Sequence, residues 1–398
     1  MTHHASHFLL RARQGAALAL IAILAGSASA LFLWLLDVVG GAFGANAWLL
    51  LLLPVAGLLS GLAYHRYGSD VEGGNNRILQ ELHDPKSYIP LRMAPMVLLG
   101  TLATHLCGGS AGREGTAVQM GGALSDQVAK GFGLSGDGRK MALLAGVAAG
   151  FSSLFGTPLA GAVFALEFVV VGHLRLAYLL PCLLASLAAD RVCLAWGAHH
   201  THYAVSAFPE LSVATFFAAL AGGVAFGLAA RLFVAVSHGT SRLVKSRIAW
   251  APARPALGGI AVAICIALAG TRYAGLGVPV ISESFVQPVL PWDFLIKLLL
   301  TALTVGVGFK GGEVTPLFFV GATLGNALAP VLGLPFPLLA AMGLAAVFGA
   351  AANTPLACIV MAMELFGADI GPYAALACVA ALWASGNTGI YTAQKRAN

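Results

Sequence analysis

Charge is scarce in this chain. Asp, Glu, Lys and Arg make up 10% of its 398 residues, against 59% hydrophobic ones. A soluble protein of this size could not hide so much apolar surface, so the composition places the chain in a membrane. No period-2 alternation runs through the apolar segments, which argues against a β-barrel. The cysteines (Cys107, Cys182, Cys193, Cys265, Cys358 and Cys378) lack CxxC spacing and read as reduced apolar packers. HExxH, GxSxG and paired intrahelical aspartates are absent, which disfavours an intramembrane enzyme. No cofactor or metal is expected.

Apolar runs recur near 15–36, 47–64, 94–106, 141–171, 176–189, 211–236, 257–270, 294–308, 316–350 and 355–384. Several are short or interrupted by Gly and Pro, as tilted or partial helices would be. The 49 glycines suit close helix packing. Basic residues cluster in particular loops: Arg66, Arg77, Lys86 and Arg92; Lys130, Arg139 and Lys140; Arg242, Lys245, Arg247 and Arg254. The loop at 37–47 has none. By the positive-inside rule the basic loops and both termini face the cytoplasm, and the formal charge of +6 reflects topology rather than nucleic-acid binding. Arg11 and Arg13 precede the first run, and no cleavage site follows a short apolar core, so an uncleaved span is expected.

Two stretches repeat. Thr157-Pro158-Leu159-Ala160 leads to Glu167, and Thr354-Pro355-Leu356-Ala357 leads to Glu364 at the same spacing. Upstream, Gly112-Arg113-Glu114-Gly115-Thr116 has a partner in Gly311-Gly312-Glu313-Val314-Thr315-Pro316. Matching polar breaks in apolar helices are the plan of a transporter with internal repeats. One membrane domain over 1–398 is expected, with halves at about 15–195 and 211–390. The connector at 196–210 carries His199, His200 and His202, but no acidic or Cys partner at metal-ligand spacing, and reads as a solvated loop.

At the first break, glycines permit a tight turn, and Thr116 is placed to cap the new helix, whose N–H groups and dipole favour an anion. Glu114 beside it has two readings: a loop carboxylate paired with Arg113, or an acid that occupies the anion position and leaves on protonation, as gate and proton carrier. At the second break, Thr315 suits an N-cap and Pro316 a first helical position. Glu313 there is open to three roles: protonated, paired with Lys310, or part of a proton path. Asn75, in Gly73-Gly74-Asn75-Asn76, offers an amide at a helix start but alone marks a turn. Tyr391 offers a phenol but alone reads as an interfacial anchor. Glu167 and Glu364 end their helices and read as acceptors of backbone N–H bonds.

Together these residues resemble the CLC family of anion channels and anion/proton antiporters over nearly the whole chain. The resemblance implies an all-α polytopic fold, a CLC-like inverted repeat of tilted and broken helices, and a homodimer with one pathway per subunit. It makes Glu114 the gate and proton acceptor. Three departures from chloride-type members resemble the fluoride-exporting branch: Gly73-Gly74-Asn75-Asn76 replaces a Gly-Ser-Gly-Ile-Pro segment, Thr116 replaces a proline, and Gly312-Glu313-Val314-Thr315-Pro316 replaces Gly-x-Phe-x-Pro. Phe168 stands where many chloride/proton antiporters carry an inner glutamate. The expected function is a fluoride/proton antiporter of a bacterial-type inner membrane, with a chloride/proton antiporter or passive anion channel as the alternative. Its partners are fluoride, protons and the lipid bilayer. Glu114 and Glu313 are the expected gating and proton-transfer residues; Asn75, Thr116, Val314, Thr315 and Tyr391 are the expected anion site.

Overall fold

A computed structural model describes residues 2–397 apart from 202 and 206, so His202 lies outside the described residues. The described residues are mainly helical. Its helices are α1 (Thr2–Ala45), α2 (Leu53–Tyr67), α3 (Asn75–His83), α4 (Met93–Leu106), α5 (Glu114–Gly131), α6 (Gly136–Phe155), α7 (Pro158–Glu167), α8 (Leu179–Ala195), α9 (Val213–Arg247), α10 (Ala253–Ala269), α11 (Val278–Glu283), α12 (Asp293–Gly306), α13 (Val314–Leu332), α14 (Phe336–Ala352), α15 (Pro355–Phe366) and α16 (Gly371–Ser385). Val170–Val171 and Lys395–Arg396 form a short parallel pairing. This is the expected all-α polytopic membrane architecture.

Three expected runs are divided, that at 355–384 at Gly367, where φ is 95°. The run at 141–171 breaks where Gly156 takes φ 72° and Pro158 restarts the chain as α7. The run at 316–350 breaks at Gly333, φ 66°, followed by Pro335. Left-handed glycine ends a helix, and proline then blocks its continuation.

Among the described residues, six helical stretches are long and apolar enough to cross a membrane, including Arg11–Ala45 and Val213–Arg247. Five others have only 10–17 residues. At about 1.5 Å per residue, they fall short of a hydrocarbon core about 30 Å thick. Where such a helix ends within the membrane's depth, its terminal backbone groups need partners from the protein. Exposed Trp34, Leu59, Leu180, Leu268 and Trp383 belong to an apolar outer surface suited to lipid. The hydrophobic stretch of α13 is 78% buried, against 22% for Ala47–Tyr67, so α13 is a central helix.

Glycine sets how closely the central helices approach. A side chain on Gly121 of α5 would strike the carbonyl oxygen of Gly146 on α6, and one on Gly321 of α13 would strike that of Gly343 on α14. These contacts seat α5 on α6 and α13 on α14. The loops before them join directly: the Gly112 N–H donates to the Gly312 carbonyl at 2.5 Å, and the Gly312 N–H donates back at 2.7 Å. The repeated Thr-Pro-Leu-Ala helices exchange caps. Glu167 accepts the N–H groups of Leu356 (3.0 Å) and Ala357 (2.8 Å), and Glu364 accepts those of Leu159 and Ala160, both at 2.8 Å. Each carboxylate thus lies at the positive end of the other's helix.

Candidate ion-binding site

The Gly112–Gly312 pairing brings two helix starts face to face. A Cβ on Gly312 would lie 2.8 Å from the Gly115 nitrogen and 3.2 Å from that of Glu114. A Cβ on Gly112 would lie 2.8 Å from Pro316 Cδ and 3.0 Å from Glu114 Oε2. Only glycine allows this approach without displacing backbone. First-turn N–H groups have no intrahelical acceptors, so both starts attract negative charge.

The Glu114 carboxylate occupies that place. It begins α5, is 1% exposed, and reaches across to α13. Its Oε2 accepts the Thr315 N–H at 3.0 Å and the Arg113 N–H at 3.1 Å, while Oε1 accepts the Thr315 hydroxyl. The Arg113 guanidinium stands farther off, at 3.7 Å. Glu114 is therefore a buried acid on the opposite helix end, not a surface carboxylate held by Arg113. Val314 opens α13 and supplies another first-turn N–H.

Asn75 begins α3 and is 8% exposed, and a Cβ on Gly115 would lie 3.3 Å from its Nδ2. Its buried Oδ1 has no hydrogen-bond partner. Tyr391 is held nearby through its neighbours. Ala393 donates its N–H to Asn76 Oδ1 (2.9 Å), Ile390 to the Ala351 carbonyl (2.8 Å), and the Gln394 amide to the Phe168 carbonyl (3.0 Å). Its ring meets Phe168 edge-on, with centroids 5.7 Å apart.

Three local expectations change. Thr116 does not cap α5, which is already helical from Glu114 after the N-cap Arg113; the Thr116 hydroxyl bonds Thr101 of α4 at 2.7 Å and so is directed to packing between helices. Thr315 and Pro316 lie inside the first turn of α13, because its N-cap is Glu313. In both cases the paired glycines fix the loop, so winding begins earlier than the threonine suggests. Glu313 forms no ion pair with Lys310. The Lys310 ammonium instead stands 3.9 Å from the centroid of the Tyr64 ring, and Glu313 lines a cavity of about 690 Å³ with Glu72, Asn76, Lys245, Arg254 and Lys310.

Other contributors carried no local signal. Arg139 of α6 bonds both Asp126 oxygens (2.6 and 2.7 Å), the Ser87 carbonyl (2.7 Å) and Glu81 (3.3 Å). It thereby ties α3, which carries Asn75, to α5, which carries Glu114. Gln119, one turn below Gly115, lies with its amide against Gly74. His200 is not solvated: its ring is 9% exposed and stands 3.5 Å from Asp190. His200, Thr201 and Tyr203 of the connector line the chamber beside Glu114, whereas His199 is exposed as expected.

Glu114 lines a small chamber of about 30 Å³ with Arg113, His200, Thr201 and Thr315 among its neighbours. Glu313, at the start of the facing helix, lines the separate cavity with the basic residues. Arg113 and Thr201 also border a wider opening of about 580 Å³. A buried carboxylate seated on the start of a facing helix, within a bundle of broken helices whose outer surface is apolar, marks the chain as a membrane ion-transport protein.

Within that class the family is definite. The model of the voltage gated chloride channel family matches residues 56–386, and the chain belongs to this family, the CLC proteins. It is 52% identical to the "Chloride/fluoride channel protein" of Pseudomonas syringae pv. tomato, over 94% of this chain and 85% of that protein. It superposes on the crystal structure of a CLC-type fluoride/proton antiporter with a TM-score of 0.94 and 36% identity, covering 98% of this chain and 99% of that one. A slow cyanobacterial Cl⁻/H⁺ antiporter, at 19% identity, TM-score 0.82 and 94% coverage of both chains, shares the fold.

Proposed function

We propose that this protein exchanges fluoride for protons and exports fluoride from the cytoplasm. The observation that carries the reading is the Glu114 carboxylate seated on Thr315 at the start of α13, where an anion would bind. Protonation removes its charge and weakens both bonds. The neutral acid withdraws, and the Val314 and Thr315 N–H groups, the Thr315 hydroxyl and the Asn75 amide become available to an anion. Loss of the proton drives the carboxylate back. One acid thus alternates proton and anion at one place, which couples their movements.

Fluoride is small and strongly hydrated, so its site must replace water with short, compact donors. Asn75 in place of the family's serine, and Thr315, supply such donors, with Tyr391 at the inner end. The likeness to a CLC-type fluoride/proton antiporter supports the same choice. Glu313, in the basic cavity, is assigned to proton transfer on the inner side. Phe168, packed against Tyr391, leaves no acid at the inner position used by many chloride/proton antiporters. That absence, with a relative named as a channel, favours passive anion conduction as the second reading. The protein is assigned to an inner membrane as a homodimer, with both termini cytoplasmic and two related halves at about 15–195 and 211–390. Purified protein in liposomes provides the test: fluoride efflux faster than chloride efflux, with coupled proton uptake, is expected. Equal halide rates would overturn the fluoride assignment, and fluoride flux without proton movement would favour the passive reading.

A further inference from the structure

The His200 ring contradicts the usual behaviour of a polar side chain in a connector. Its side chain is 91% buried, by the 9% exposure noted above, yet neither ring nitrogen has a hydrogen-bond partner. Asp190 of α8, 7% exposed at its side chain, stands 3.5 Å from Nε2, and its Oδ1 is also unpartnered. Leaving buried donors and acceptors unmade is costly, so such a pair calls for a further occupant or a function. The backbone makes room for it: Gly156 turns with φ 72°, and a Cβ there would lie 2.5 Å from the imidazole.

What the ring faces is decisive. His200 and Glu114 line the same chamber of about 30 Å³. A space of this size exceeds the roughly 10–15 Å³ that one water needs, and the imidazole and the carboxylate offer it polar partners. Arg113 and Thr201 connect the chamber's wall to the wider opening, which is also lined by Asp37 and His199. Residues shared by the two spaces thus lie beside the chamber that His200 and Glu114 line.

Building on the antiport reading above, we propose that His200 is the proton-transfer residue that loads Glu114 from the connector side, with Asp190 as its positioning partner. The protonated ring gives its proton through a bridging water to the Glu114 carboxylate. Glu114 becomes neutral and leaves Thr315, while His200 becomes neutral and takes a new proton from the opening. Asp190 offsets the charge of the protonated ring. The other charged or titratable groups facing this arrangement are Arg113, which precedes α5 and stands 3.7 Å from the Glu114 carboxylate; Tyr203 of the connector, in the chamber wall; and Glu364 of α15, which caps α7. Histidine suits the step because it exchanges protons between about pH 5 and 8.

The test uses full-length protein in liposomes, with fluoride and proton flux followed together from about pH 5 to 8. His200→Gln preserves size and polarity but cannot carry the proton. Its coupled flux is expected to fall about tenfold or more, with loss of the imidazole limb of the pH profile. His200→Gly opens a space of the ring's size beside the wide opening, and added imidazole is expected to restore its flux. Wild-type flux and pH profile in His200→Gln would overturn the proposal. So would a slowed variant that keeps the wild-type pH profile while His200→Gly gains nothing from imidazole, since that pattern belongs to a packing role. A variant that fails to yield monodisperse protein leaves the imidazole response of the other to decide. Wild-type protein lacking fluoride/proton exchange would overturn the antiport reading itself, a result distinct from any variant's behaviour.

Discussion

Thr315→Ala tests the site at the point where gate and ion compete. Glu114 has three donors: the Thr315 N–H, the Arg113 N–H and the Thr315 hydroxyl. Alanine removes the hydroxyl and keeps the helix, because Thr315 lies within the first turn of α13 and its N–H remains. A hydrogen bond to a charged group contributes about 1.5–3 kcal/mol. That corresponds to about one to two powers of ten in binding. The same hydroxyl serves carboxylate and anion in turn, so both occupants weaken. Exchange between them is little changed, whereas the affinity of the open site for fluoride falls by that factor. At a pH low enough to keep Glu114 protonated and out of the site, the fluoride concentration giving half-maximal flux should therefore rise about tenfold to a hundredfold, and proton coupling should persist. The space left by the side chain admits a larger ion or water, so discrimination against chloride should weaken as well. A fluoride electrode and a chloride electrode on matched liposomes, with pH recorded, measure all three quantities. Unchanged concentration dependence and unchanged selectivity in a folded, monodisperse variant would refute the placement of the ion at Thr315.

Glu114→Gln should abolish fluoride-driven proton movement, since an amide does not titrate; pumping at the wild-type ratio would remove Glu114 from the gate. Gly312→Ala should lose most fluoride flux, because its Cβ would stand 2.8 Å from the Gly115 nitrogen and must displace backbone, at about 1–3 kcal/mol for overpacking. Normal flux in that variant would mean that the helix starts are not in close contact. Single-molecule photobleaching of labelled protein in dilute lipid should show two-step loss; mainly single steps, after correction for labelling, would exclude the homodimer.

The elements that build the candidate site were legible in part because their chemistry is local. Sparse charge and long apolar runs require a membrane, and Gly-rich breaks with Glu and Thr mark where helices restart there. The matching spacing of Thr157/Glu167 and Thr354/Glu364 made the capping role of both acids readable, and their exchanged bonds supply it. Winding at the helix starts was less legible. Thr116 and Thr315 look like caps in isolation, yet the Gly112–Gly312 pairing holds each loop so that the helix begins before them.

The sequence by itself determined the membrane class, the broken helices and the acids at their ends, since these follow from composition, period and turn chemistry within a few residues. Tertiary structure alone decided which donors each acid meets. Glu114 bonds Thr315, about two hundred residues away, only because close glycine contacts bring α5 and α13 together. Arg139 joins Asp126 to Glu81, and His200 enters the chamber beside Glu114, for the same kind of reason. A buried polar group takes whatever partner the packed helices bring within reach, and no local pattern encodes that choice.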